Sequence, residues 1–228
     1  MTPKKIALLT DSSADLRWDQ ARENNIFFVP LRILCEDGEY LDGVNITGPD
    51  IYQRLHNGEL PQTSLPRVED FSAKLREIFD LGYDGVIAVM LSSGLSGTYN
   101  LARILAGECA EQGYAMKVFD SVSGALGQGM TVLQLAEDIK NGMDWEELTE
   151  RRAPQLIANT YPFFSVDTLE YLVKGGRIGK VTAMAGTMLQ IKPILTFAED
   201  GQLQSIAKVR GHQQGMKKLA ELGSESEP

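Results

Sequence analysis

The sequence predicts an α/β protein built on a largely parallel sheet, and three features carry that prediction. Short apolar runs of strand length, such as Ile6–Leu9 and Val86–Leu91, end in loops rich in Gly, Ser and Thr. Segments of helical spacing stand between them, as in Phe71, Leu75, Ile78 and Phe79. The runs are apolar throughout rather than alternating, which fits strands covered on both faces.

Taken in order, Ile6–Leu9 is a buried strand, and Thr10-Asp11-Ser12-Ser13 is its polar turn. Asp15 to Asn24 reads as a helix. Ile26–Ile33 reads as a second strand, with Pro30 marking an edge or a bulge. Pro49 opens a helix that Asn57-Gly58 ends. Leu60 to Pro66 is a loop held between two prolines, and a helix starts at Val68. After the strand Val86–Leu91 comes Ser92-Ser93-Gly94-Leu95-Ser96-Gly97-Thr98, then a helix to about Gln112. Met116–Phe119 is a strand, and the helix after it ends at Asn141-Gly142. Asp144 is placed as an N-cap, with Glu147 in the capping-box position.

The pattern changes after Arg151-Arg152-Ala153-Pro154, which puts a domain boundary near 152–160. Phe163–Val166 reads as a strand and Asp167–Val173 as a short helix. Ile194–Phe197 and Leu203–Val209 flank Glu199-Asp200-Gly201 as a β-hairpin. The expected organisation is an N-terminal α/β domain over 1–155 and a smaller α/β domain over 156–222. The Gly-Ser-Glu tail 223–228 is expected to be disordered.

Charge narrows the function. With 22 basic and 31 acidic residues the net charge is −9, which argues against general nucleic-acid binding. The average hides an asymmetry. Residues 1–166 hold 14 basic and 24 acidic side chains, whereas 167–218 hold 8 basic and 4 acidic. The basic stretch reads either as solvated surface charge or as a docking surface for an anion or an acidic partner. Two distant cysteines, Cys35 and Cys109, fit a reduced cytoplasmic protein. The first apolar run is four residues long, too short for a signal peptide, and none approaches a membrane span.

Several enzyme signatures fail. Gly175–Lys180 lacks the first Gly and the Ser or Thr of a Walker loop, since Lys174 and Val181 stand there. Thr98 replaces the second Gly of G-x-S-x-G. Gly124, Gly127 and Gly129 reverse the dinucleotide order, and Asp11-Ser12-Ser13 lacks a phosphatase's second aspartate. The two histidines, His56 and His212, leave a Ser–His–Asp triad open in principle, and no Cys/His cluster suggests a metal.

What remains is a set of hydroxyl-rich loops at strand ends, where ligands bind in open α/β sheets. Ser93, Ser96 and Thr98 enter a helix, Thr63 and Ser64 sit between prolines, and Thr10, Ser12 and Ser13 follow the first strand. Ser96 reads as a helix cap, as an anion ligand, or as both. No strong acid, base or metal set accompanies these hydroxyls. That favours binding a carboxylate or phosphate over chemistry on it.

Five segments together resemble the DegV family of bacterial fatty-acid-binding proteins. They are Ile6-Ala-Leu-Leu-Thr-Asp-Ser-Ser-Ala-Asp-Leu16, Gln62-Thr-Ser-Leu-Pro66, Ser92-Ser-Gly-Leu-Ser-Gly-Thr-Tyr99, Asp167 to Lys180, and Ile191-Lys-Pro-Ile-Leu195. Each is weak alone, but all five stand in the family's order from about residue 4 to about residue 218. The resemblance implies a two-domain α/β fold with a parallel three-layer N-terminal domain and one long-chain fatty acid held between the domains. It implies that Thr63 and Ser96 hold the carboxylate, with Ser93, Ser64, Gly97 and Thr98 as neighbours. Met184, Met188, Leu189 and Ile191, around Ala183 and Gly186, read either as part of an acyl tunnel or as ordinary core.

The resemblance further implies a non-catalytic subunit that presents its fatty acid to a separate ATP-dependent kinase subunit for acyl phosphate formation. Arg177 and Arg210 would dock that partner, assisted by Lys180. No cofactor or metal is implied, and contact with a membrane surface would be transient. The family pattern continues past Lys218 with a histidine-bearing glycine-proline segment that nothing here matches, so either the second domain is truncated or another element closes the site. Two alternatives are a serine-dependent acyl or phosphate ester hydrolase with Ser96 as nucleophile, and a lipid-independent regulatory partner protein.

Overall fold

A computed structural model of the chain describes residues 2–184 and 191–225. The chain divides into two compact units, Met1–Thr160 and Tyr161–Pro228.

The first unit is organised by a four-stranded parallel sheet. Its strands are β1 (Ile6–Asp11), β2 (Ile26–Val29), β6 (Gly85–Met90) and β7 (Ala115–Asp120), in the order β2-β1-β6-β7. The alternation of side chains along each strand sorts the core into two layers. Ala7, Leu9, Val86, Ala88 and Met90 pack against Phe71, Leu75 and Ile78 of α3 (Val68–Asp80) and Leu101 and Leu105 of α4 (Thr98–Glu111). Leu8, Ile26, Phe28, Ile87 and Val89 face the other way. They meet Ala21 of α1 (Trp18–Glu23) and Val132 and Leu135 of α5 (Ala125–Lys140). This is the three-layer arrangement that continuous apolar strands require. Each fully buried Leu, Ile or Phe contributes about 1.5–3 kcal/mol.

A second, antiparallel sheet contains β3 (Arg32–Cys35), β4 (Gly38–Leu41) and β5 (Gln62–Ser64), in the order β4-β3-β5. The helix α2 (Gly48–His56) connects β4 to β5 and begins with a capping box between Thr47 and Asp50.

Two expectations are corrected here. The run Ile26–Ile33 is two strands, because Pro30 has no N–H to continue the ladder and the chain changes sheets there. The stretch between Pro61 and Pro66 is not only a loop. Gln62, Thr63 and Ser64 pair with Leu34, Ile33 and Arg32, so the prolines bound a strand.

The first helix also starts later than expected. Ser12–Ala14 form a 3-10 turn and Asp15 adopts a left-handed backbone (φ 52°), so α1 waits until Trp18. Further on, the Glu147 N–H donates to Asp144 Oδ1 at 2.9 Å, the expected cap. The next turn, Glu147–Arg152, is π-helical and leads into α6 (Ala153–Ala158). Pro154 supplies no N–H to the carbonyl four residues back, which explains the widened turn.

The second unit holds an antiparallel sheet, β10-β9-β8, with β8 (Phe164–Ser165), β9 (Ile191–Phe197) and β10 (Leu203–Arg210). Strands β9 and β10 form the expected hairpin, with Phe197 opposite Leu203. The short helix is α7 (Glu170–Lys174), and α8 spans His212–Glu225. Helix α8 takes in Gly223, Ser224 and Glu225, which composition placed in a disordered tail. Ser224 Oγ stays in the helix by donating to the Glu221 carbonyl at 2.7 Å. Residues 226–228 lie outside the described residues. No described helix is long and apolar enough to cross a membrane.

Candidate functional site

Three hydroxyl-bearing segments leave the C-terminal ends of β1, β6 and β7. Asp11, the last residue of β1, is fully buried beneath them. Its Oδ2 accepts the Leu91 N–H at 2.8 Å, and its Oδ1 accepts the Ser13 N–H at 3.1 Å. Ser13 Oγ lies against the same Oδ1 and also 2.9 Å from Gln128 Oε1. Gln128, equally buried, reaches in from α5 and donates through Nε2 to Thr10 Oγ1 at 2.9 Å. Thr10 Oγ1 in turn donates to the Val89 carbonyl at 2.7 Å. Burial pushes the Asp11 carboxyl above the usual carboxylate range, against these hydrogen bonds. The third hydroxyl of this turn, Ser12 Oγ, accepts the Leu31 N–H at 3.0 Å.

The loop after β6 folds on itself. The Ser92 carbonyl accepts from Leu95 and Ser96 N–H at 3.0 and 3.1 Å, and the Asp120 carboxylate accepts the Ser93 N–H at 3.2 Å. Ser96 Oγ lies 2.9 Å from Thr98 Oγ1 and accepts the Thr98 N–H at 3.2 Å. Gly97 holds the N-cap position of α4, and Ser96, just before it, takes up the first helical N–H while staying half-buried rather than enclosed. Ser93 and Gly97 are exposed, whereas Thr98 is fully buried. Among the described residues Ser96 Oγ bonds with Thr98 and with no imidazole.

The pair Thr63 and Ser64 behaves differently from a simple loop. As successive residues of β5 they point to opposite faces of their sheet. Thr63 is exposed beside Ile33. Ser64 Oγ accepts from Arg32 Nη2 at 2.8 Å. Arg32 Nε donates to the Leu65 carbonyl at 2.8 Å, and its Nη1 pairs with Glu39 at 3.0 Å. Arg32 thus clamps β5 from below. Leu65 then reaches the second loop, its Cδ2 standing 3.9 Å from where a Cβ on Gly97 would be. The fold so brings the Thr63 strand and the Ser96 loop together at one end of the first unit.

The segment after β7 is strained. Val122 and Ala125 hold φ of 47° and 50°, costly for residues other than Gly, above all for a β-branched one. Between them Ser123 Oγ is buried without a hydrogen-bond partner among the described residues. Its carbonyl accepts the Ser92 N–H at 2.9 Å, which ties the strained turn to the Ser92–Thr98 loop.

The second unit carries Arg177, Lys180 and Arg210. Lys180 pairs with Asp200 at 2.7 Å beside the hairpin turn, where Gly179 packs against the Leu203 backbone. Arg210 lies opposite Ile191 at the other end of β10, about 23 Å away along the strand. Arg177 is exposed and donates to the Gly175 carbonyl at 2.6 Å. Lys180 and Arg210 are therefore not one cluster. Lys174 and Lys192 are also paired, with Glu170 and Asp167. Ile191 opens β9, whereas Gly186, Met188 and Leu189 lie outside the described residues, as do the side chains of Ala183 and Met184.

One group of metal-ligating atoms exists among the described residues. Cys35, Asp37 and Glu59 offer ligand atoms within 4.8 Å of one another. The Arg54 guanidinium already donates to both carboxylates, at 2.8 and 2.9 Å, and offsets one of their two charges.

Sequence reasoning missed Arg32 and Gln128. The only signal for Arg32 was a cation inside an apolar strand. Gln128 had none beyond its place in the glycine-punctuated start of α5.

Comparison with known proteins places these features in context. A family model described as "Uncharacterised protein, DegV family" matches residues 5–228. A DegV domain-containing protein of Clostridium acetobutylicum is 38% identical over 219 residues, covering 96% of this chain and 77% of the relative. One from Clostridium perfringens is 40% identical over 219 residues, covering 96% and 76%. Among solved structures, a fatty-acid-binding DegV family protein from Thermus thermophilus superimposes with a TM-score of 0.89 at 32% identity. It covers 98% of this chain and 78% of that one. DegV from Bacillus subtilis, a fatty acid binding protein, gives 0.86 at 30% identity, covering 97% and 77%.

Proposed function

Since this chain belongs to the DegV family, we propose that it binds a long-chain fatty acid and holds the carboxylate with Thr63 and Ser96. Ser93 and the Gly97 backbone, exposed in the same loop as Ser96, stand beside them. The observation that carries this reading is the approach of Leu65 to Gly97, which sets the two hydroxyl segments side by side. Neutral donors suit the task. They stabilise a carboxylate without burying a counter-charge whose desolvation would offset the gain. Ser64 and Thr98 act as supports: the first is engaged by Arg32, the second is buried against Ser96.

The chain performs no chemistry on the ligand in this reading. It presents the carboxylate to a separate ATP-dependent kinase subunit, which forms the acyl phosphate. Exposed Arg177 and Arg210 dock that subunit, assisted by Lys180, which also pairs with Asp200. The test combines this protein, fatty acid, ATP and a fatty acid kinase catalytic subunit, and traps acyl phosphate with hydroxylamine. Product is expected only with all components. It should fall in Arg177→Ala and Arg210→Ala while fatty-acid affinity is kept. Product unaffected by both substitutions would remove them from docking, and no product with a ligand-loaded protein would overturn the presenting role.

A further inference from the structure

Asp11 sits where the proposed ligand's negative charge would be least welcome, and its surroundings count protons. Ser13 Oγ has one hydrogen but faces two acceptors, Asp11 Oδ1 and Gln128 Oε1. If Asp11 is ionised, Ser13 must donate to it, and the fully buried Gln128 Oε1 is left without a donor among the described residues. A proton on Asp11 Oδ1 removes the conflict. The chain then runs in one direction: Asp11 to Ser13 Oγ, Ser13 to Gln128 Oε1, Gln128 Nε2 to Thr10 Oγ1, and Thr10 to the Val89 carbonyl. Turning the Gln128 amide over exchanges one conflict for another. Its oxygen would then face the ionised Asp11 Oδ1 at 3.3 Å and the Val89 carbonyl oxygen at 3.4 Å, three acceptors that only the Thr10 hydroxyl could serve.

We propose that Asp11 is a protonated, neutral carboxyl in the folded protein, and that this neutrality is what lets the neighbouring loops accept an anionic ligand. The ligand clause rests on the fatty-acid reading above; the protonation state does not. The groups facing Asp11 are Val29 from β2, the Leu91 N–H beyond β6, Gln128 from α5 and Ser13 from its own turn. None is ionisable, and Asp11 makes no ion pair among the described residues. Burial acts in the same direction. Asp11 is a positioning residue: through the Leu91 N–H it also anchors the start of the Ser92–Thr98 loop.

The experiment follows the side-chain carboxyl carbons of the full chain by NMR with carbon-13-labelled aspartate, and measures affinity for a fluorescent fatty acid, both against pH. One aspartate, absent from Asp11→Asn, should remain protonated through neutral pH. Wild-type affinity should fall by about tenfold per pH unit once that carboxyl ionises. Asp11→Asn, which cannot ionise, should lose this pH dependence whatever its absolute affinity, since its NH2 group cannot accept the Ser13 N–H as Oδ1 does. An Asp11 signal that titrates in the ordinary acidic range would overturn the proposal, as would an Asp11→Asn protein whose affinity keeps the wild-type pH dependence. A protonated Asp11 in a protein that binds no fatty acid at any pH would uphold the protonation and overturn the ligand reading.

Discussion

Arg32 Nη2 donates to Ser64 Oγ at 2.8 Å, and that contact decides which of two adjacent hydroxyls is left for a ligand. Strand pairing turns Thr63 to one face and Ser64 to the other, and the arginine occupies the second. Thr63→Ala should therefore weaken fatty-acid binding by about 1–3 kcal/mol, the cost of a lost charge-assisted hydrogen bond. Ser96→Ala should do the same, and Ser64→Ala should cost much less. Titration calorimetry on the three variants checks the ranking; equal losses at Thr63 and Ser64 would contradict it.

The same arginine holds β5 in place. Arg32→Leu removes donors to the Leu65 carbonyl and to Ser64, and leaves Glu39 with Arg67 alone. A destabilisation of about 1–3 kcal/mol is expected, measured by urea unfolding, together with weaker ligand binding. Arg32→Lys should recover little of this, since an ammonium cannot reproduce the guanidinium fork.

Packing at the start of α5 gives a prediction opposite in sign to helix propensity. A Cβ on Gly129 would stand 2.4 Å from the Ala14 carbonyl oxygen. Gly129→Ala should then cost about 1–3 kcal/mol by overpacking, although Ala is intrinsically the better helix residue by about 1 kcal/mol. Because α5 also carries Gln128, the substitution should disturb the Thr10–Asp11–Ser13 network, visible as shifted amide signals there.

Both thiols should be sluggish. Burial pushes the Cys109 thiol up to about 11, and Cys35 is raised as well. Alkylation of Cys109 at neutral pH should proceed only as the protein opens, and speed up on adding denaturant. The sign for stability follows: a thiol raised in the folded state contributes below its unfolded value near 9, and that contribution is lost as pH rises from 9 towards 11. Urea midpoints measured across that interval should fall, and Cys109→Ala should flatten the trend.

Much of the fold was legible because apolar runs and helical spacing respond to the same burial that holds the sheet. Phe71, Leu75 and Ile78 fall on one face of α3, and Val86 to Met90 are all buried. What escaped depended on contacts distant in sequence. The strand Gln62–Ser64 exists because β3 offers it an edge, and three polar residues between prolines carry no such mark. Pro30 was visible, but not that the chain changes sheets beyond it. In the candidate site the hydroxyls stood out as types, whereas which of them are engaged inside the fold came from Arg32, Gln128 and the partner bonds of Asp11.

The central claim is tested most directly by native mass spectrometry of the purified chain, before and after adding a long-chain fatty acid. One fatty acid per chain, either carried through purification or taken up on addition, is the expected result, and the added fatty acid should be lost in the Thr63→Ala, Ser96→Ala double variant. A chain that carries no acyl ligand and takes none up, or a double variant that binds as tightly as the parent, would contradict it.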